Sequence, residues 1–329
     1  ESLTWTNPFT TGVPGGDTGR MALAPDNQAH QLSGSASYEL SPTVRASGEV
    51  SLGRMTQDAP FLAATINGAL GPVALPSQSL HGKVDTFGAS ARLTATPVDG
   101  LRLNASLSRD KRNNKTPSLL YALVSTDLFL ATSRTNQPYS YTTDKLRLSG
   151  DYRLSKSLKA ALGFDQDNRQ RTLQEVGTTR EGTVWARVSA QPIDKLGLSL
   201  KVAHADRKNG DYNPVAAIDP AENPLLRKYN LAGRERDSAT LRADYALAEG
   251  YSLGLDGGVS IDKYKQSTLG LTNGRSGNLG LDLSAAITEQ TQAHVFAQAE
   301  RMRSRQAGSL AFAQADWWAR SADATDVFG

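Results

Sequence analysis

The sequence predicts an all-β protein, an antiparallel up-and-down transmembrane β-barrel with about 13 strands present, on three observations. Apolar and polar residues alternate with a period of two, stretch after stretch, along most of the chain. Turns of about two to four residues alternate with loops that reach about 25–30, against a usual median of about 4–6. The strands run about 10–13 residues, close to the ~9–11 that cross a bilayer at a tilt and longer than the roughly 5–6 usual in soluble sheets.

Taken in order, Ser2 to Phe9 reads as the end of a strand that runs into a Gly/Pro/Asp-rich loop through Asn27. Ala29 to Leu40 and Val44 to Met55 form a hairpin about Pro42. After a loop over 56–83, Phe87 to Thr96 and Leu101 to Lys111 form a second about Pro97–Gly100. A loop over 112–140 leads to Lys145–Leu154 and Leu158–Arg169. A shorter loop at Gly177 leads to Gly182–Gln191 and Leu196–Asp206. Beyond a loop over 208–235 stands the clearest hairpin, Arg236 to Lys263, turning at Glu249-Gly250. A loop at Asn273-Gly274 precedes Asn278–Thr288 and Ala293–Arg303, and a last loop ends with Thr325 to Gly329 entering one more strand.

The two faces of these strands differ. In the Arg236–Lys263 hairpin, Ala239, Leu241, Ala243, Tyr245, Leu253, Leu255, Val259 and Ile261 share one face. Tyr38, Tyr152 and Tyr245 come just before tight turns and Tyr251 just after one, all in phase with the apolar face. They are candidates for an aromatic girdle at one membrane interface, although tyrosine also favours strands for its own packing. The opposite face carries Arg45, Glu49, Arg92, Arg102, Asn104, Arg147, Asp151, Lys159, Asp165, Arg187, Lys201, Arg242, Asp244, Asp256 and Asp282. Mid-strand charges on a lipid face cost about 2–4 kcal/mol each, so this face is wet or buried against something polar. It is either a water-filled lumen or the solvated side of a soluble sheet.

Composition narrows the function. Hydrophobic residues make up 39% of the 329, and no run approaches the ~18 apolar residues of a membrane helix, which leaves a barrel open. A net charge of +3 with interleaved signs gives no case for nucleic acid. The absence of cysteine excludes disulfides, thiolate metal sites and C-x-x-C-H haem attachment within these residues. His30, His81, His204 and His294 stand apart, without metal-ligand spacing. The glycine-rich Gly12–Gly19 lacks the Lys-Ser/Thr of a phosphate loop, and no G-x-S-x-G elbow is present. No catalytic, cofactor or metal site is expected, and the chain is not expected to be an enzyme. Apolar patches in the loops, Leu119–Val124, Leu128–Leu130 and Leu310–Phe312, read either as a loop folding over the barrel or as a docking surface.

Three stretches carry a resemblance: Gly19 to Gln31 (GRMALAPDNQAHQ), Asn223 to Asp237 (NPLLRKYNLAGRERD) and Trp317 to Gly329 (WWARSADATDVFG). They resemble signatures of the MtrB/PioB family of decahaem-associated outer-membrane proteins, and the hairpin rhythm extends the likeness over the whole chain. The family's usual A-D-R-D/E-R departs here, with Gly233 in place of the first acid, and the family's N-terminal cysteine pair is absent. The resemblance implies a Gram-negative outer-membrane barrel of roughly 26 strands. Such a barrel sheathes a periplasmic multihaem (decahaem) c-type cytochrome, with a possible extracellular multihaem partner. The haem belongs to the cytochrome, and the conduit serves extracellular electron transfer, in metal reduction or iron oxidation. Residues 1–329 then form a single barrel region, a fragment that lacks strands at both ends. The alternatives are a general porin or substrate-transport barrel, and an outer-membrane enzyme or soluble β adhesin.

Overall fold

A computed structural model describes residues 2–7, 14–63, 65–70, 74–122, 133–213, 223–311 and 313–329. The strands are β1 (Ser2–Thr6), β2 (Thr18–Ala22), β3 (Gln28–Ser41), β4 (Val44–Gln57), β5 (Gly82–Val98), β6 (Leu101–Asn114), β7 (Leu120–Tyr121), β8 (Arg134–Thr135) and β9 (Tyr141–Arg153). They continue as β10 (Leu158–Arg171), β11 (Thr178–Ile193), β12 (Leu196–Asn209), β13 (Leu226–Arg227), β14 (Arg234–Ala248), β15 (Tyr251–Tyr264), β16 (Leu269–Ala286), β17 (Gln292–Gly308) and β18 (Trp317–Phe328). The one helical element described is a single 3-10 turn, Gly68–Leu70.

The main sheet has 14 strands in sequence order from β3 to β18, with β13 off the path and paired in parallel with β16. From β10 to β18 the ladders of the path are antiparallel between successive strands, as an up-and-down meander requires. The turn ends are tight because the sequence supplies the conformations they need. Asp99-Gly100 and Glu249-Gly250 join their strands in two residues, with Gly100 at φ 80° and Gly250 at φ 78°, the left-handed region that glycine enters without steric cost.

Four expectations need correction. Asn273-Gly274 is not a loop but lies inside β16, opposite Lys263 and Asp262; the chain turns earlier, at 265–268, where Gln266 takes φ 56°. Trp317 to Ala324 is strand, not loop, because β18 finds a full ladder on β17 from Trp317↔Gly308 onward. Residues beyond Thr6 are not all loop, since β2 returns antiparallel onto β1. The strands also outrun their sequence boundaries; β16 has 18 residues and β17 has 17.

The chain divides into two compact units. The first comprises Glu1–Gly34, Val50–Gly88 and Asp110–Thr142. It holds the β1–β2 ribbon, the β7–β8 pair and a polar loop cluster in which Asn67 donates from Nδ2 to the Pro14 carbonyl at 2.9 Å. In the same unit Asp85 accepts from Arg54 and Lys115, each at 2.7 Å. Asp58 takes a hydrogen bond from Ser79 and pairs with His81 at 2.7 Å. The Ser79 hydroxyl is the main reason the Asp58 carboxyl sits below its ordinary range, with desolvation opposing it and His81 adding to it.

The second unit comprises Ser35–Glu49, Ala89–Arg109 and Thr143–Gly329. A sheet with both faces accessible has little core, and the fully buried side chains here are Leu231, Glu175 and Val176, packed where loop chain folds back at the end opposite the tight turns. Lys228 pairs with the buried Glu175. Large apolar side chains elsewhere stay exposed, Leu162 at 67% and Leu279 at 56% among them. Exposed apolar surface on this scale marks a contact with lipid or protein rather than with water.

Candidate functional site, the polar face of the sheet

Cross-strand register decides which side chains share a face, since directly opposed residues project the same way. Starting from Arg242, the ladders place Ser199 opposite it on β12, Asp256 on β15 and then Gly280 on β16. One row away, Asp244 faces Gly254, which faces Asp282. On the other side Lys201 faces Arg187, which faces Ala161 between Lys159 and Gly163, and Thr183 faces Asp165. Arg147 and Asp151 of β9 join by ion pairs, Arg147 with Asp165 at 3.6 Å and Asp167 at 3.2 Å, and Arg187 with Asp151 at 3.0 Å. Asn104 reaches Thr94 at 3.3 Å and Ser149 at 3.5 Å, which puts Arg102 and Arg92, two residues away, in the same phase. Arg45 donates to Ser37 at 3.0 Å, and Ser37, Glu49 and Arg92 line one shallow serine-rich hollow with Ser90 and Ser106.

All fourteen charged candidates therefore lie in phase on one face. The four tyrosines lie on the other: Tyr245 faces Leu253, and Tyr251 faces Ala285 in the row of apolar Leu283 and Leu281. Tyr38 alternates with Leu40, and Tyr152 with Leu148, in the same phase.

Charges on the polar face are largely matched. Arg242 grips Asp244 through Nε and Nη2 at 2.8–3.0 Å. Near the loop end Arg236 holds the buried Asp262 with two bonds of 2.6 and 2.7 Å, and Arg234 holds Glu181 at 3.0 and 3.2 Å. Arg207 donates to the carbonyls of Ala232 (2.8 Å) and Tyr229, fastening the 223–233 segment over that end of the face. Asn223 caps the same segment: its Oδ1 accepts from Leu225 N at 3.0 Å and its Nδ2 donates to the Ala313 carbonyl at 3.2 Å. The stretch Asn223 to Asp237 thus has a physical role, since it carries both the fold-back and the arginines that anchor it.

Several residues of this face escape sequence reading. Asp167, Glu181, Arg207 and Arg234 lie beyond the clean alternation, whereas Arg236 and Asp262 fall inside the Arg236–Lys263 hairpin and continue the phase of Arg242 and Asp256. Trp185 is aromatic on a polar face because it lies over Gly163 directly opposite, with the Lys201 ammonium 4.6 Å from its ring. Two more tryptophans cover glycines in the same way, Trp5 over Gly19 and Trp317 over Gly308.

No group of three or more His, Asp or Glu residues able to hold a metal occurs among the described residues. His204 pairs with Asp237 at 2.7 Å on the apolar-phase side. Part of the apolar loop patches, 123–124, 128–130 and 312, lies outside the described residues.

Comparison with known proteins agrees with this geometry. The sequence profile of the family described as outer membrane beta-barrel porin, MtrB/PioB, matches residues 1–329. Outer membrane protein MtrB of Shewanella baltica (strain OS185) is 29% identical over 312 residues, which is 95% of this chain and 44% of that protein, so the chain spans less than half of its relative's length. Among solved structures, pyoverdine-bound FpvA of P. aeruginosa gives a TM-score of 0.44 at 10% identity, over 95% of this chain and 51% of that one. The siderophore receptor PirA of Acinetobacter baumannii gives 0.41 at 11%, over 92% and 58%. The match over the whole chain, on a meander with one apolar and one charged face, shows that this chain belongs to the MtrB/PioB family of outer-membrane β-barrel porins.

Proposed function

We propose that the polar face lines the lumen of an outer-membrane barrel that sheathes a periplasmic multihaem c-type cytochrome, giving an electron conduit across the membrane. The observation that carries this reading is the width and charge balance of the polar face. It runs unbroken through the registered strands from β10 to β16 and pairs its arginines with acids on strands one or two places away. Such a wall meets water or a hydrophilic protein without a large net field. In this role the barrel performs no catalysis. Its part is to exclude lipid and solvent from the cargo, whose haems carry the electrons, and family membership supports a cytochrome as that cargo.

Affinity purification of the full-length protein from its native membrane, followed by haem staining, tests the proposal. A multihaem cytochrome in stoichiometric amount is the expected result. A haem-free barrel with solute-selective single-channel conductance would make it a transport porin instead.

A further inference from the structure

We propose that the loop-end part of the apolar-phase face over β16–β18 is a docking site for the phosphate groups of the outer-leaflet glycolipid. On this face the turn-end half is apolar: Leu283, Leu281 and Leu279 on β16 stand opposite Val295, Ala297 and Ala299 on β17. The loop-end half changes character at once. Arg275 faces Arg303, Arg305 faces Arg320, and Arg301 lies between the apolar row and Arg303. Lys263, one row beyond Ile261, extends the patch onto β15.

Like charges directly opposed across a ladder repel each other and destabilise the sheet. Among the described residues the only acid in an ion pair with one of these six bases is Asp326, which holds Arg301 at 2.7 and 3.0 Å, while Lys263 at the margin of the patch stands opposite Glu235. Arg275, Arg303, Arg305 and Arg320 are exposed, and no side-chain hydrogen bond or ion pair to the described residues relieves them. Elsewhere on the same face and at the same end, bases do have acids: Arg109 pairs with Asp144, His204 with Asp237, and Lys265 with Asp206 and Glu235. The surplus is local, and it asks for an external anion.

Position identifies the anion. The inference rests on the barrel reading above, in which the apolar phase meets lipid and the long loops face the exterior. Arg301 to Arg305 stand two to six residues past Ala299, roughly 5–15 Å above the hydrocarbon edge for a strand rise of ~3.4 Å and a tilt near 40°. That is headgroup depth in the outer leaflet, which in an outer membrane is built of phosphorylated glucosamine lipid. The planar arginine fork suits phosphate bidentately, better than the point charge of lysine. The patch is almost all arginine.

The test uses the full-length protein in nanodiscs, titrated with diphosphoryl lipid A and followed by native mass spectrometry. Wild type should retain the lipid, and R303Q/R305Q should lose at least about tenfold in affinity while R92Q on the polar face loses none. Retention within about twofold by R303Q/R305Q would overturn the proposal. Equal binding of dephosphorylated lipid A or of phosphatidylglycerol to wild type would also overturn it, as would full competition by millimolar inorganic phosphate. These last arms need no variant, so they decide even if R303Q/R305Q fails to fold. Bimane on Leu281→Cys, with any cysteine outside these 329 residues replaced by serine, reports the face separately. Quenching by brominated lipid with unchanged lipid A binding in R303Q/R305Q rejects the docking site alone; absence of quenching rejects the barrel reading beneath it.

Discussion

Two neighbouring parts of the loop-end rim treat charge in opposite ways. Over β12, β14 and the turn after β15, His204 meets Asp237 at 2.7 Å and Lys265 bridges Asp206 and Glu235 at 2.9 Å each. Over β16–β18 the same phase of the same sheet sets Arg275 against Arg303 and Arg305 against Arg320. Backbone geometry is shared, so the contrast lies in the side chains alone. The first patch is complete as folded chain. The second is complete only with an anion from outside, and a sheet can therefore carry its membrane contacts as a pattern of missing partners.

The largest effect that sharpens this comparison lies just below both patches. Leu200→Arg puts a charge in the apolar phase and should cost about 2–4 kcal/mol in urea unfolding from vesicles, whereas Thr240→Arg in the opposite phase should cost about 1 kcal/mol or less, set by the facing Lys201. Equal costs would erase the distinction between the faces. Next comes Arg236→Ala, which strips two charged hydrogen bonds from the buried Asp262 and should cost about 1.5–3 kcal/mol by the same assay.

Lys265→Ala, on the paired patch, should cost about 1 kcal/mol or less, and less still at high salt, because its partners remain accessible. Hydrogen bonds to Asp206 and then Glu235 raise the Lys265 ammonium above its ordinary 10.5. A raised folded value means its contribution is fully present below pH 10.5 and is lost as pH climbs through the folded value. An alkaline unfolding series on wild type and Lys265→Ala should converge there and not below. Smallest, and opposite in sign, is Arg305→Glu. It turns a repelling cross-strand pair with Arg320 into an attracting one and should gain about 0.2–1 kcal/mol in detergent without glycolipid. A loss there would mean the arginines already have partners.

Much of the fold was legible because strands with one apolar face must alternate, and tight turns need Gly100 or Gly250. The misreadings share a cause. Past the apolar band both faces of a strand are polar, so alternation vanishes although hydrogen bonding continues; the Asn273-Gly274 stretch, Gly82-Lys83 and Arg112–Asn114 all read as loop for this reason. Asn-Gly is a turn signal only where no partner strand holds it, and here Gly274 is held by Asp262 on one side and Ser304 on the other. The fourteen charged candidates could be found one strand at a time. The arginine patch could not, since Arg275, Arg303 and Arg320 are 17 or more positions apart and only register makes them neighbours.

Asp256 and Asp282 each lie beside a glycine of the adjoining strand, Gly280 and Gly254, whose missing Cβ leaves room for a carboxylate to lie flat. With Gly258 and Gly274 in the same phase, four positions of this stretch carry no side chain, and Asp282, Asp256 and Asn278 lie across three of them. Under the proposed function this is a clearance. A folded cytochrome meets here a smooth, low stretch of wall along which it can slide and seat during assembly. Alanines at Gly254 and Gly280 would raise that floor and push two carboxylates into the cargo's path.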